Sequence, residues 1–313
     1  MKNILTKYAI KLIIPLLMVS PLLKAYLDFN SQINVDISLN KYIPNQTTTI
    51  FAAYSQDGMI PDYVISYLKL LKEISPNIIY ITDNPIKKKE ISKLKPFVTH
   101  LIASRHEEYD WGSYKRGYNW LKQNGYLENN NNFSHPLLIF ANDSTIPTTT
   151  SFAPILSDMK LKNTDFYGIT ANQDGTYHIQ SYFLIITPQM YNHPNFAKYL
   201  NNVIKQKDGL TVAYRYEVPF TQYFTNLGFS HSTYIDYKLL SYLPLNDKNC
   251  YPLTMLTKYN APLLKMRTFT NRLNVQESRR LVFNWLRKNQ PETYKDLIKH
   301  LKAINSPYLK ENR

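Results

Sequence analysis

Four short apolar runs constrain this chain more than any other feature, because each breaks off into polar residues and each is separated from the next by a helix-patterned stretch. They are residues 47–54 (TTTIFAAY), 77–82 (NIIYIT), the stretch around 98–103 (VTHLIA) and 137–145 (LLIFANDST). All four read as strands buried in a sheet. Between the first two, Pro61 suits the first turn of a helix, and Val64, Ile65, Leu68 and Leu71 recur at helical spacing. IKKKEISKLK, from residue 86, reads as a second helix. Strand, helix, strand, helix, strand with short connections predicts a parallel sheet with right-handed crossovers, the layout of a nucleotide-binding half-domain.

The fourth run carries the most chemistry. Asn142, Asp143 and Ser144 arrive together at its end, and Ile146-Pro147 is expected to stop it continuing as a paired ladder. Ligands of open α/β sheets bind beyond the carboxyl ends of strands. A carboxylate there, flanked by an amide and a hydroxyl, suits a metal, a sugar hydroxyl or a phosphate-bound cation, although the same residues are common strand-breaking turns. The third run leads into RHEEYDWGSYKRGYNWLKQNGY, residues 105–126. Asp110 and Ser113 are candidate helix caps, with Tyr114, Tyr118 and Leu121 on one helical face. Lys115 and Arg116 in the first turn oppose the helix dipole, which makes sense if an anion lies at that helix start; the alternative is an exposed basic helix.

Further along, residues 151–161 read as a helix, 165–172 as a strand and loop, and 176–188 (TYHIQSYFLIITP) as a strand with polar His178, Gln180 and Ser181 early in it. Residues 192–205 read as a helix and 212–216 as a brief extended piece. Glu217 then precedes a helix marked by Pro219, Phe220, Tyr223, Phe224 and Leu227, with Gly228 as its stop. A carboxylate at a helix start is ordinary dipole stabilisation, and is also where a general base can be held at a cleft edge. The last hundred residues read as basic and mostly helical, packing on the main domain. The expected organisation is therefore 1–46, an amino-terminal segment and polar linker; 47–250, the α/β domain; and 251–313, a helical carboxyl-terminal region.

Composition narrows the partners. Cys250 is the single cysteine, which excludes an internal disulfide framework and a cysteine-rich zinc site. A net charge of +14, from 37 basic and 23 acidic residues, favours phosphates, whether of nucleic acid, anionic lipid or nucleotide-activated substrates. No nucleic-acid-binding motif accompanies it, so no nucleic-acid partner is expected. Lys2, Lys7 and Lys11 precede LIIPLLMVSPLL, residues 12–23. That run is shorter than the roughly 20 residues of a membrane span. It reads as a segment on the inner membrane surface, with a signal peptide and a helix packed on the protein's own core as alternatives.

Four pieces in order, EYDWGSYKRG, FANDST, HIQSYFL and YEVPFTQY, resemble the rhamnan synthesis protein F family of bacterial cell-surface polysaccharide glycosyltransferases. APLLKMRTF near Ala261 and the closing ETYKDLIKHL resemble its carboxyl-terminal signatures, so the resemblance runs over about 47–301. His106 and Glu108 stand where the family usually has Asn and Gly. The resemblance implies a GT-A-like fold with a Rossmann-type sheet, a nucleotide-sugar donor such as dTDP-rhamnose, a glycan or lipid-linked glycan acceptor, and a cytoplasmic site at the inner membrane surface. It also implies roles. Tyr54, Asp83, Asp110, Lys115, Asn142, Ser144 and Gln180 bind the nucleotide-sugar. Asp143 takes the place of the acidic motif that meets Mg²⁺ or Mn²⁺ or the donor ribose, His178 faces the donor sugar or leaving group, and Glu217 is the general base of an inverting transfer. Other deoxyhexose or hexose donors, and a non-catalytic basic lipid- or nucleic-acid-binding protein, are the competing readings.

Overall fold

The computed structural model describes residues 27, 29–127, 136–270 and 275–312, and in it the apolar runs stand side by side in one sheet. Its strands begin with Val35–Ser38 (β1), Thr48–Ala53 (β2), Asn77–Thr82 (β3), His100–Ala103 (β4) and Leu138–Asn142 (β5). After Thr145–Pro147 (β6), which lies outside the sheet, Phe166–Gly168 (β7), Phe183–Ile186 (β8) and His231–Thr233 (β9) complete it. Among the described residues the sheet has eight strands in the order β9-β7-β8-β5-β2-β3-β4-β1. Strands β5, β2, β3 and β4 are parallel neighbours, whereas β8 runs antiparallel to both its neighbours and β1 closes the edge antiparallel to β4. The mostly parallel α/β class expected from the sequence is the one observed.

Alternate residues of each central strand enter different cores, as the period of a strand requires. Phe51 and Tyr80 pack with helix Asp62–Ile74 (α1), while Ile50, Ala52 and Ile79 pack with helix Tyr109–Gln123 (α2). Helix α2 lies close on the sheet because Gly117 has no side chain there. A Cβ at that position would come within 2.5 Å of the Ile50 side chain. Helices Ala153–Lys162 (α3), Pro194–Asn201 (α4) and Val218–Asn226 (α5) follow, and Gly228 ends α5 at φ +93°. The carboxyl-terminal helices Arg279–Asn289 (α6) and Pro291–Ala303 (α7) bury Val282, Leu286, Leu297 and Leu301 in the same core as Tyr67 and Leu68 of α1. Helix α7 packs against α1, and α6 against α7.

Several local expectations are corrected. Residues 212–216 are not extended: Gly209–Val212 is helical and Ala213–Glu217 forms a π-helical turn running into α5. The Asp208 side chain caps this helix by accepting from the Thr211 amide at 2.7 Å, and Val212 and Tyr216 are buried one turn apart. Pro147 does not end pairing. Thr145–Pro147 forms a two-stranded ladder with Leu263–Lys265 (β10), with Pro147 at its end, where the missing amide costs nothing. The stretch read as a linker supplies the edge strand β1. Residues 86–95 open with a short strand, Ile86–Lys87, before a 3-10 turn, Lys88–Glu90, and a short helix, Ile91–Leu94. The 176–188 run is split into His178–Ile179 and β8 around Gln180, Ser181 and Tyr182. The apolar 12–23 segment lies outside the described residues, among which no helix is long and apolar enough to cross a membrane.

Candidate active site

A cleft of about 580 Å³ opens beyond the carboxyl ends of β2, β3, β4 and β5. Asp143 is fixed there by the sheet itself. Its amide donates to the Ala52 carbonyl at 3.1 Å, the Tyr63 hydroxyl donates to its carbonyl at 2.9 Å, and its Oδ2 accepts the Tyr54 amide at 2.8 Å. The buried Asn142 side chain orients two neighbours. Its Nδ2 donates to Asp110 Oδ2 at 3.0 Å, and its Oδ1 accepts from the Ser144 amide at 3.2 Å and hydroxyl at 2.6 Å. Asp110 does not cap α2, which begins at Tyr109 after Glu108. It lies in the first turn and accepts its neighbour Trp111's amide at 3.0 Å. Ser113 is likewise no cap: it is buried and accepts from His106 Nε2 at 3.0 Å.

Burial dominates the electrostatics of this cleft. It pushes Asp143 up to about 7, with the Tyr54 amide opposing and the charge of Asp110 adding to it. Asp110 is pushed up to about 6 by burial, then by the charge of Glu217. The opposite shift belongs to Lys265, at the end of β10, which burial pulls down to about 8 against the charges of Glu217 and Asp110. Its Nζ is 3.3 Å from Ser144 Oγ and 4.3 Å from the centre of the Tyr182 ring. Reading the sequence did not single out Lys265. The only signal was its place inside APLLKMRTF; the ladder that carries it to Ser144 pairs segments too distant in sequence to be foreseen.

The structure gathers Tyr54, Asp83, Asp110, Asn142, Asp143 and Ser144 around the cleft, but not the remaining candidates. Asp83 Oδ1 accepts the amides of His106 and Glu107 at 2.5 and 2.8 Å, so much of its capacity ties down the loop before α2. His106 Nδ1 accepts the Glu108 amide at 3.1 Å, and burial with the Arg116 charge lowers its pKa to about 4. The imidazole is therefore neutral beside Asp83. Lys115 lies off the cleft: its ammonium binds Glu108 at 2.6 Å and the Val203 carbonyl at 2.6 Å. The cations read as waiting for an anion at the start of α2 already have one, since Arg116 also meets Glu108 at 2.6 Å.

Glu217, His178 and Gln180 form a second group beside the cleft. Glu217, in the π-helical turn, accepts the Ser181 amide at 2.8 Å and the Ser181 hydroxyl, both on Oε2. Insertions of this kind in helices frequently mark functional positions. His178 donates from Nδ1 to the Thr176 carbonyl at 2.8 Å, which leaves Nε2 facing Glu217 Oε1 at 3.9 Å. Buried Gln180 accepts from Thr170 at 2.7 Å and Asn249 at 3.1 Å, a bracing role between loops and not a cleft-facing one.

The carboxylates that line this cleft are Asp83, Glu107, Asp110 and Asp143. Among the described residues no cluster of three or more His, Cys, Asp or Glu could hold a metal ion. Asp143 already spends Oδ2 on the Tyr54 amide, and both oxygens of Asp110 accept hydrogen bonds. The ammonium of Lys265 stands beside them.

A family model described as rhamnan synthesis protein F matches residues 78–311. No curated protein matches the chain. Among solved structures, a cytidylyltransferase from Leptospira borgpetersenii serovar Hardjo-bovis is similar at 14% identity and a TM-score of 0.41, over 87% of this chain and 98% of that one. The glycosyltransferase GlyE of Streptococcus pneumoniae TIGR4 is similar at 9% identity and a TM-score of 0.41, over 84% and 64%. The mannosyltransferase Ktr4p of S. cerevisiae is similar at 9% identity and a TM-score of 0.31, over 57% and 67%.

Proposed function

The chain belongs to the rhamnan synthesis protein F family, and we propose that its cleft is the donor site of a glycosyltransferase that moves a sugar from a nucleotide-sugar to a growing glycan. The observation that carries the reading is the placement at the carboxyl ends of parallel strands of Asp110, held by Asn142, beside Asp143, held by the Tyr54 amide. The fold is GT-A-like in this reading, with exposed Tyr54 at the mouth, dTDP-rhamnose as the first donor to try, and a lipid-linked glycan at the inner membrane surface as acceptor.

Glu217 is the general base. Ser181 holds Oε2, and Oε1 remains able to take the proton of an acceptor hydroxyl. That oxygen attacks the anomeric carbon from the face opposite the diphosphate. The new carbon–oxygen bond forms as the bond to the phosphate oxygen breaks, the nucleoside diphosphate leaves with the electron pair, and the configuration inverts. His178 faces the donor sugar or leaving group beside Glu217, and Asp143 and Asp110 orient the donor's hydroxyls.

The test is a thermal-shift panel of nucleotide-sugars, dTDP-rhamnose with UDP- and GDP-linked hexoses, each with and without Mn²⁺. A ligand that binds only the folded state raises the Tm by mass action, by about 2.7 kcal/mol of stability at a hundredfold excess over Kd. Saturable stabilisation by at least one donor is expected. No shift with any donor, together with tight salt-sensitive binding to polyanions, overturns the reading in favour of a non-catalytic basic protein.

A further inference from the structure

Several buried or partly buried lysines among the described residues end on protein acceptors. Lys72 donates to the Pro76 carbonyl at 2.5 Å, Lys162 to the Thr233 carbonyl at 2.7 Å, Lys248 to the Leu243 carbonyl at 2.9 Å, and Lys115 to a carboxylate and a carbonyl. Lys265 differs from these four. An ammonium has three donors, and this one meets a hydroxyl at 3.3 Å and an aromatic face, with Glu217 and Asp110 acting on it from beyond ion-pair distance. Withdrawing such a charge from water without a matching acceptor is costly. The site is nevertheless built to hold it. The β6–β10 ladder sets Lys265 opposite Thr145, and Tyr182 beneath the ammonium is itself fixed by a 2.8 Å hydrogen bond to Thr170.

The cleft therefore presents an under-used cation where, among the described residues, no group of three or more His, Cys, Asp or Glu is placed to hold a metal. The geometry points to Lys265 as the residue that takes the donor's diphosphate, so that a nucleoside diphosphate binds this cleft without a divalent ion. The inference rests on the donor-site reading above. During transfer the electron pair of the breaking bond passes to the phosphate oxygen. Lys265 stabilises that charge by donating a hydrogen bond while keeping its proton.

Isothermal titration calorimetry on the full chain tests this, with UDP, GDP and dTDP as probes in EDTA and in Mn²⁺. The expected result is binding of at least one diphosphate in EDTA, with Mn²⁺ changing its Kd by less than about threefold. Lys265→Met should weaken that diphosphate by about 10- to 100-fold, the worth of a charged hydrogen bond. It should leave the matching unphosphorylated nucleoside unchanged, and Lys265→Arg should restore most of the affinity. Binding that needs Mn²⁺, or wild-type affinity in Lys265→Met, overturns the inference while leaving the donor site standing. The EDTA and Mn²⁺ comparison on the wild type decides the question even if the Met variant folds poorly. Absence of diphosphate binding under both conditions removes the donor site and this role with it.

Discussion

Two charged clusters flank the start of α2, and they are built in opposite ways. In the first, the Glu108 carboxylate sits between Lys115 and Arg116, each at 2.6 Å. Burial works to raise the Glu108 pKa, but hydrogen bonds from Arg116 and Lys115 outweigh it and hold it below the usual carboxylate range. In the second, two residues along the helix, Asp110 shares the cleft with Asp143 and Lys265, and every shift runs against charge: both acids up, the lysine down. Opposite charges that satisfy one another hold a structure together. Charges kept partly buried in a cleft with unfilled capacity are arranged for something that arrives later, which is why perturbed groups gather at functional sites.

The largest effect expected on the functional side is at Glu217. Glu217→Gln keeps the shape and the Ser181 contacts in reach but removes the proton acceptor. Loss of a general base costs ~10²–10⁴-fold in turnover. With a purified donor and glycan acceptor, kcat should fall by that factor while donor affinity, read by calorimetry, stays within about threefold of wild type. A fall of only a few-fold takes Glu217 out of the mechanism and leaves it as a brace for Ser181.

The structural cluster should respond differently. Glu108→Gln leaves Lys115 and Arg116 without their carboxylate in a partly buried setting, and should cost about 1–3 kcal/mol of stability by the usual worth of hydrogen bonds to charged groups. Urea unfolding reads that loss, and nucleoside diphosphate affinity should remain within about twofold. A tenfold loss of affinity with unchanged stability would erase the division between the clusters and return Lys115 to the donor site.

How far the sequence revealed these clusters follows from the distance over which their contacts act. NIIYIT became β3 without a change of boundary because a strand buried on both faces is a continuous apolar run. Asn142 and Asp143 were legible because a polar break after such a strand is local. The pairing of Lys115 with Glu108 was not legible, because Glu108 lies before the helix, outside the spacings by which helical neighbours are recognised. The turn at 213–217 was hidden because a π-helical insertion has no periodicity of its own, whereas Glu217 does stand at the start of α5, as expected. Lys265 depended on a ladder between β6 and β10, a pairing that only the folded chain creates. Glu107 and Tyr109, at φ +59° and +57°, occupy a backbone region that side chains rarely adopt, in the very loop where His106 and Glu108 depart from the family pattern.

The smallest expected effect is also the most direct measure of the contrast, because the two clusters should carry opposite pH signatures. Asp143 and Asp110 have folded-state pKa values of about 7 and about 6, above the ~3.9 of an unfolded aspartate. Between those limits the folded state binds more protons than the unfolded one, so these groups make stability fall as pH rises from about 4 to 7. Glu108, held low, contributes stability that is present above its unfolded pKa and is lost as pH falls through its folded value. Asp143→Asn removes one of the two opposing acids while keeping a side chain of the same size. Its Tm should exceed wild type by about 2–4 °C at pH 8, the scale of one kcal/mol in a large domain, and the difference should shrink towards pH 5. Scanning fluorimetry across that range separates the cases: a difference independent of pH would mean that ionisation of Asp143 costs the fold nothing, and that the cleft is wetter and its charges better satisfied than its contacts indicate.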